Sequence, residues 1–455
     1  MKQRTTLVAL FSALLIVQPA IANEVHEYSL DNGMKIFVKE DHRAPVVASM
    51  VWYKVGSSYE QNGTTGIAHV LEHMMFKGTD KYAPGKFSRI IAANGGQDNA
   101  FTSRDYTAYF QRLHKDRLPI SLELESDRMR NMKVLDEEFA KEVQVVMEER
   151  RMRTDDDPEA LTSEAFNAVA YVNSPYRWPV IGWMNDLENM TANDIRAWYT
   201  TWYAPNNASL VVVGDVKPEE VFELAKKYFG PLQPDTITPP KPVKEVTQMG
   251  ERRITVKAPA ELPYLLMGYK TPVAKGNDDE WEPYALAVLS SILDDGSSAR
   301  FAKRLIRDQQ IATSAGAGYS PFARLDGLFM FDGQPAKGHT IAELEKAIRT
   351  EINIIKEELV SSDELARIKA QVIAAEVYEK DSVFYQAMQI GSLETMGLSW
   401  RVGQQYADKI RQVTAQQIRD VARKYLIDDR LTVAVFEPLP LDQKKPPRPS
   451  GGMKH

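Results

Sequence analysis

Along the chain, short apolar runs alternate with longer segments whose apolar positions recur every three to four residues. Met34-Lys35-Ile36-Phe37-Val38 and Val46 to Tyr53 are rich in β-branched and aromatic residues and are joined by the polar turn Glu40 to Arg43, which predicts two strands. Leu118 to Met129 and Glu137 to Met152 carry helical spacing. Thr191-Ala192-Asn193-Asp194-Ile195-Arg196 opens another helix with Thr in the N-cap position, and the apolar run Ser209-Leu210-Val211-Val212-Val213 follows it as a strand. Gly214-Asp215 then leads into a helix over Glu219 to Tyr228. Strands flanked by helices, with few βαβ spacings, predict an α+β fold with mixed or mostly antiparallel sheets.

The pattern repeats. Thr414-Ala415-Gln416-Gln417-Ile418-Arg419 echoes the Thr191 segment 223 positions later, and Thr432-Val433-Ala434-Val435 echoes the apolar run at the same offset. An offset kept across a helix start and a strand points to duplication. Between the copies, Gly230 to Gly250 holds Pro231, Pro234, Pro239, Pro240 and Pro242, which reads as a semi-rigid extended linker. The expected organisation is a first domain over 23–230, the linker over 231–250, a related second domain over 251–438 and a disordered tail over 439–455. Ahead of them, Lys2 and Arg4 precede the uncharged run Leu7 to Val17 and the small-residue site Ala20-Ile21-Ala22. That is the pattern of a cleavable export signal over 1–22. The run is short for a membrane span, and no later segment approaches that length.

Composition narrows the function classes. The 455 residues carry a net charge of −6 with no basic block, which leaves no electrostatic footprint for nucleic acid. Cys is absent, so disulfides, thiolate zinc sites, cysteine-held iron–sulfur clusters and a Cys nucleophile are excluded. Export without Cys points to the periplasm.

His is scarce, seven in all, and two fall in His69-Val70-Leu71-Glu72-His73. On a helix, positions 69, 72 and 73 share one face. Two neutral imidazoles one turn apart can grip a Zn²⁺, and a carboxylate between them can take a proton from water and return it to a leaving amine. The spacing is the inverted form of the HExxH metalloprotease motif. A third protein ligand must be His or carboxylate. His114 lies in a basic neighbourhood, whereas Glu142 to Glu149 runs along a predicted helix where Glu142 and Glu149 share a face and Glu148 points elsewhere.

These residues resemble the pitrilysin/insulinase family of inverted zincins, which includes the mitochondrial processing peptidase and its bacterial relatives. The family pairs HxxEH with a glutamate about 75 positions later, and Glu149 follows His73 after 75 intervening residues. The resemblance implies His69, His73 and Glu149 as ligands of one Zn²⁺, Glu72 as general base and Glu142 as support for the catalytic network, with Glu148 competing for the third ligand. Asp157-Pro158-Glu159-Ala160-Leu161, Ser174-Pro175-Tyr176, Pro179-Val180-Ile181-Gly182 and Tyr203-Ala204-Pro205-Asn206-Asn207 extend the match. Gly95 to Ser103 resembles the family's substrate-binding edge strand, with Asn99, Ala100 and Phe101 at the substrate positions. The fold implied is half of a clamshell chamber.

The match fails where active members carry an Arg/Tyr pair that holds the substrate backbone. In place of Ser-Ser-Arg-Leu, Leu-Arg-Glu and Gly-Leu-Ala-Tyr, this chain has Ser297-Ser298-Ala299-Arg300, Leu305-Ile306-Arg307-Asp308 and Gln310-Ile311-Ala312-Thr313. The Tyr position is Thr313, the Arg is displaced to Arg307 or absent, and Tyr319 enters only if the alignment slips. In two-chain relatives one subunit carries the zinc helix and the other the Arg/Tyr pair. The expectation is therefore a zinc endopeptidase subunit acting on short or unfolded peptides in a heterodimer with a similar chain lacking HxxEH, a homodimer being second. A non-catalytic peptide-binding or assembly subunit and a dedicated peptide-maturation protease are the rival readings.

Overall fold

The computed structural model describes residues 24–441. The expected leader and the tail beyond residue 441 lie outside the described residues. The first half runs β1 (Val25–Ser29), β2 (Lys35–Glu40), β3 (Val46–Tyr53), α1 (Ile67–Met74), α2 (Lys86–Ala93), β4 (Gln97–Thr102), β5 (Thr107–His114), α3 (Leu118–Asn131), α4 (Asp136–Arg150), α5 (Pro158–Ala170), α6 (Met184–Asn189), α7 (Ala192–Trp202), β6 (Ala208–Gly214) and α8 (Pro218–Tyr228). The second runs β7 (Arg252–Pro259), β8 (Tyr264–Thr271), α9 (Glu282–Leu293), β9 (Ala312–Gly318), β10 (Gly327–Pro335), α10 (Ile341–Glu357), α11 (Ser362–Glu379), α12 (Val383–Thr395), α13 (Trp400–Gln412), α14 (Ala415–Tyr425) and β11 (Leu431–Leu439). No helix among the described residues is long and apolar enough to cross a membrane.

The two sheets have one topology. Their strand orders are β1-β2-β6-β3-β5-β4 and β7-β11-β8-β10-β9, so the second sheet is the first without its β1 edge. Each contains one parallel pair, β2 with β6 and β7 with β11, and the remaining pairs are antiparallel. The fold is therefore α+β in two similar halves. The two echoed segments fall on equivalent elements: α7 and α14, then the inner strands β6 and β11. Thr191 and Thr414 both close capping boxes, with Asp194 and Gln417 answering from the third helical position. β6 and β11 are buried on both faces, which is why they read as unbroken apolar runs instead of alternating ones.

What covers those faces is the less obvious part of the fold. The inner face of the first sheet packs on its own helices, around Leu71, Val146 and Ile195. Its outer face, with Met50, Trp52, Val211 and Val213, packs on Ala387 and Ile390 of α12, a helix of the second half. In return α5 lies across β7, β8 and β11, placing Phe166 and Ala170 against Leu266, Ala434 and Phe436. The halves thus exchange equivalent helices. Each fully buried large apolar side chain contributes about 1.5–3 kcal/mol, so stripping either helix from its sheet costs a large part of a domain's whole stability of about 5–15 kcal/mol. Polar contacts follow the same crossing: Gln386 donates to Asp41 at 3.0 Å, and Arg324 to Asp105 at 3.2 Å.

Helix α4 stops short of the predicted end at Met152. From Arg151 to Asp155 the chain widens into a π-type turn, and the Arg150 guanidinium beneath it is held by Gly182 O at 2.7 Å and by the Glu164 carboxylate at 2.6 and 2.8 Å.

Candidate active site

Helix α1 is anchored at its start before it presents anything. Gly66 takes a φ of +86°, and a Cβ there would lie 2.6 Å from Ile181 O; Gly182, at +85°, would meet Thr65 O at 2.4 Å. Only glycine allows these two backbones to touch. The Glu60 carboxylate accepts from the amides of Gly66 at 2.7 Å and Ala68 at 3.0 Å, satisfying donors that the first turn leaves open. Asp186 gathers Gly63 N, Thr65 N and Thr65 Oγ1 on one oxygen at 3.2, 3.1 and 2.6 Å. The apolar side of α1, with Ile67, Val70, Leu71 and Met74, is buried, which turns His69, Glu72 and His73 toward a cleft.

Across that cleft stands the last turn of α4. One ligand atom from each of His69, His73 and Glu149 falls within 4.8 Å of the others. Glu149 Oε2 lies 3.5 Å from His73 Nε2 and 3.9 Å from His69 Nε2. Its other oxygen, Oε1, is taken by Arg153 at 2.6 Å, so a single oxygen faces the histidines. Burial lowers His69 to about 3, which keeps its imidazole neutral and fit to donate a lone pair. Burial also lowers His73, but the 2.9 Å contact of its Nδ1 with Glu142 Oε1 and the negative charges of Glu142, Glu72 and Glu149 together outweigh this and leave it raised. Lys77 grips the other oxygen of Glu142. Two imidazole nitrogens and one carboxylate oxygen, without sulfur, with a carboxylate behind one imidazole, fit zinc and leave positions open.

Glu72 lies beside the group without joining it. Burial raises its carboxyl above the usual range, and a 2.5 Å hydrogen bond from Thr102 Oγ1 offsets only part of this. Thr102 ends β4, which pairs with β5 alone and forms the sheet's edge. The Ala100 amide points off that edge and meets its neighbour's side chain, Asn99 Oδ1, at 2.9 Å. The Phe101 ring instead lies edge-on to Trp52 and Tyr106, under α12, and its backbone is paired with Ala108 of β5, so Phe101 does not present a hydrogen-bonding group to the cleft. The cleft between α1, β4, the end of α4 and Val180-Ile181 encloses about 550 Å³.

The structure therefore brings together His69, Glu72, His73, Glu142, Glu149, Asn99 and Ala100. Glu148 is exposed and paired with Arg151, and His114 sits at the far end of β5 against Asp116. In the second half, Thr313 is exposed and donates to Gln334 O at 3.3 Å, Arg307 donates to Ser297 O at 2.5 Å, and Tyr319 donates to Pro272 O at 2.6 Å while stacking on Phe329. Tyr319 is committed to its own core. Sequence reasoning missed Thr102, Lys77 and Arg153, although each has a periodic signal. Thr102 is two residues past Ala100 on the same strand face, while Lys77 and Arg153 follow His73 and Glu149 by four positions. Glu60 and Asp186 carry no such signal.

Comparison with known proteins agrees with this geometry. The family model described as Insulinase (Peptidase family M16) matches residues 35–182, and that described as Peptidase M16 inactive domain matches residues 189–372. Zinc protease PqqE of Helicobacter pylori is 35% identical over 415 residues, covering 89% of this chain and 88% of its own. A crystal structure of a protease from Helicobacter pylori superposes with a TM-score of 0.86 at 31% identity, covering 91% of this chain and 100% of that one. The periplasmic protease PqqL from Escherichia coli shares the fold with a TM-score of 0.76 at 20% identity; the match covers 91% of this chain but 47% of that one. The His69–His73–Glu149 group, the duplicated α+β halves and these matches make the chain a member of the M16, or insulinase, peptidase family.

Proposed function

We propose that the chain is the zinc-bearing subunit of an endopeptidase that hydrolyses short or unfolded peptides held as an added strand on β4. The observation that carries the reading is the meeting of His69, His73 and Glu149 within 4.8 Å beside the Glu72 carboxylate and an open strand edge. His69 and His73, whose Nε2 atoms face Glu149 Oε2, would hold the ion together with Glu149. Zinc bound there supplies Lewis-acid polarisation and acidifies water. The edge of β4 orients the peptide backbone, with Asn99 and Ala100 offering hydrogen bonds. Glu72, its affinity for protons increased by burial, takes the proton of the attacking water and returns it to the departing amine nitrogen. Glu142 keeps His73 in the tautomer that leaves Nε2 available.

Two observations support a second chain. No tyrosine stands where active relatives place one, since Thr313 is a short hydroxyl turned to Gln334 and Tyr319 is engaged with Pro272. The chain also spans about half of PqqL. A similar subunit lacking HxxEH would complete a four-domain chamber, and a second copy is the alternative arrangement. The leader-like start favours the periplasm as the working compartment.

The test is metal content and peptide cleavage by wild type and Glu72→Gln, each with and without a co-expressed second subunit of this fold. One zinc per chain in both, with cleavage lost about 10²–10⁴-fold in the variant, is expected. A variant that binds zinc and cleaves as wild type does would refute the role of Glu72. Strong cleavage by the purified wild-type chain as a monomer would refute the need for a partner.

A further inference from the structure

We propose that Thr102 is a positioning residue that couples occupation of the β4 edge by peptide to the placement of Glu72. The proposal rests on the peptidase reading above. Along β4, residues of one parity turn their backbone groups toward β5 and those of the other parity turn them outward. Ser103 N bonds Tyr106 O inside the hairpin, and Ala100 N points off the edge, so Thr102 shares the outward parity of Ala100. Thr102 thus has its main chain on the edge where a peptide would add, while its Oγ1 donates to Glu72 Oε2 at 2.5 Å.

The two connections are short and local. A strand that adds to β4 straightens and fixes the backbone of Thr102, and Thr102 has a single rotatable bond, with restricted rotamers, between that backbone and the Glu72 carboxylate. The far side of the hairpin is pinned by other residues. Ser57 N and Ser58 N donate to Ser103 O and Arg104 O at 3.1 and 2.7 Å, and a Cβ on Gly56 would come within 2.3 Å of Ser103 O. Asp105, in the same turn, is buried against Ser58 Oγ at 2.8 Å and against Arg324 of the second half. With its turn held from both halves, β4 cannot relieve a new backbone alignment by shifting as a body. The adjustment passes to Thr102 and from there to Glu72.

The experiment compares wild type, Thr102→Val and Thr102→Ser on an unstructured peptide of about eight residues, long enough to lie along β4, and on a blocked dipeptide reporter that cannot. Zinc content, melting temperature and the crystallographic direction of the Glu72 carboxyl are measured alongside. Thr102→Val should keep one zinc per chain and a wild-type melting temperature. Its Glu72 carboxyl should turn from the direction seen here, and its kcat on the long peptide should fall about 10- to 100-fold with KM within about 2-fold, the scale of a lost hydrogen bond to a charged group. The dipeptide should lose much less, and Thr102→Ser should regain most of the long-peptide rate. Wild-type kcat with an unmoved Glu72 in Thr102→Val overturns the positioning role, and equal loss on both substrates overturns the coupling. Should the Val variant fail to fold, Thr102→Ala answers the same questions. Absence of zinc-dependent cleavage by the wild-type enzyme defeats the peptidase reading instead, and the carboxyl direction in the variants then still decides whether Thr102 places Glu72.

Discussion

His73 Nδ1 lies 2.9 Å from Glu142 Oε1, and this contact leaves Nε2 as the nitrogen that faces Glu149. Lys77, three residues past the end of α1, holds the opposite oxygen of Glu142 and so fixes the carboxylate from behind. Burial raises the Glu142 carboxyl, and the hydrogen bonds from His73 and Lys77 outweigh it, leaving it lowered. Replacing Lys77 by Met should weaken zinc binding about 10-fold while sparing the fold, because partners of this kind typically contribute 10- to 100-fold to affinity. Competition with a chromophoric chelator measures it; unchanged affinity would remove Lys77 from the site.

Metal removal should loosen the protein as well as silence it. His69 and His73 sit on α1 and Glu149 on α4, so an ion shared by them adds a further tie between two helices already joined by apolar contacts and by the His73–Glu142 hydrogen bond. An ion at 100 times its dissociation constant adds about 2.7 kcal/mol to the folded state. Chelation should therefore lower the melting temperature of wild type, and should leave that of His73→Ala, already metal-free, where it was. Equal shifts in both would mean that the chelator acts elsewhere.

An added methyl at the helix exchange should be costly. A Cβ on Gly391 would lie 2.1 Å from the Trp52 indole, and one on Gly268 would lie 2.6 Å from the Phe166 ring. Overpacking of this kind costs about 1–3 kcal/mol and occasionally more. Gly391→Ala should lower the unfolding free energy read from urea titration by that amount or more, and with it the urea midpoint, although alanine ordinarily stabilises a helix. An unchanged or higher midpoint would show that α12 does not dock as tightly as its contacts indicate.

Acid should weaken the same contact. The Arg43 hydrogen bonds hold the Asp41 carboxyl below the usual range despite its burial, and Gln386 of α12 adds a further donor. Its folded pKa is lower than its unfolded one. The stability it contributes is thus fully present above about pH 4 and is lost as pH falls through the folded value. Wild type should lose urea resistance over that window more steeply than Asp41→Asn; parallel profiles would exclude Asp41 as the titrating group.

Much of this was legible from local periodicity. Helical spacing put His69, Glu72 and His73 on one face, and the capped helix starts at Thr191 and Thr414 marked α7 and α14 with the inner strands that follow. Those signals live within a few residues. The exchange of α5 and α12 does not, because what draws α12 onto Trp52 is a surface more than 300 positions earlier in the chain, and Gly391 taken alone is merely a weak point in a helix. The anchors of α1 are similar: Asp186 reads as an ordinary helix acid until the fold brings it to Thr65. Helical rotation and the family spacing already favoured Glu149 over Glu148, and Glu148 is exposed against Arg151 while Glu149 faces the two histidines.

The exchange of helices also has a temporal meaning. The first sheet is complete once β6 has been made, yet its outer face has no cover until α12, residues Val383–Thr395, follows. At about 5–20 residues per second, a ribosome needs on the order of 10–40 seconds to bridge that gap. Through all of it Met50, Trp52, Val211 and Val213 are without the surface they will bury. The 23–230 segment, so clearly bounded in sequence, is therefore not a unit that matures during synthesis. The outer face of its sheet reaches a finished neighbourhood only when nearly the whole chain is available.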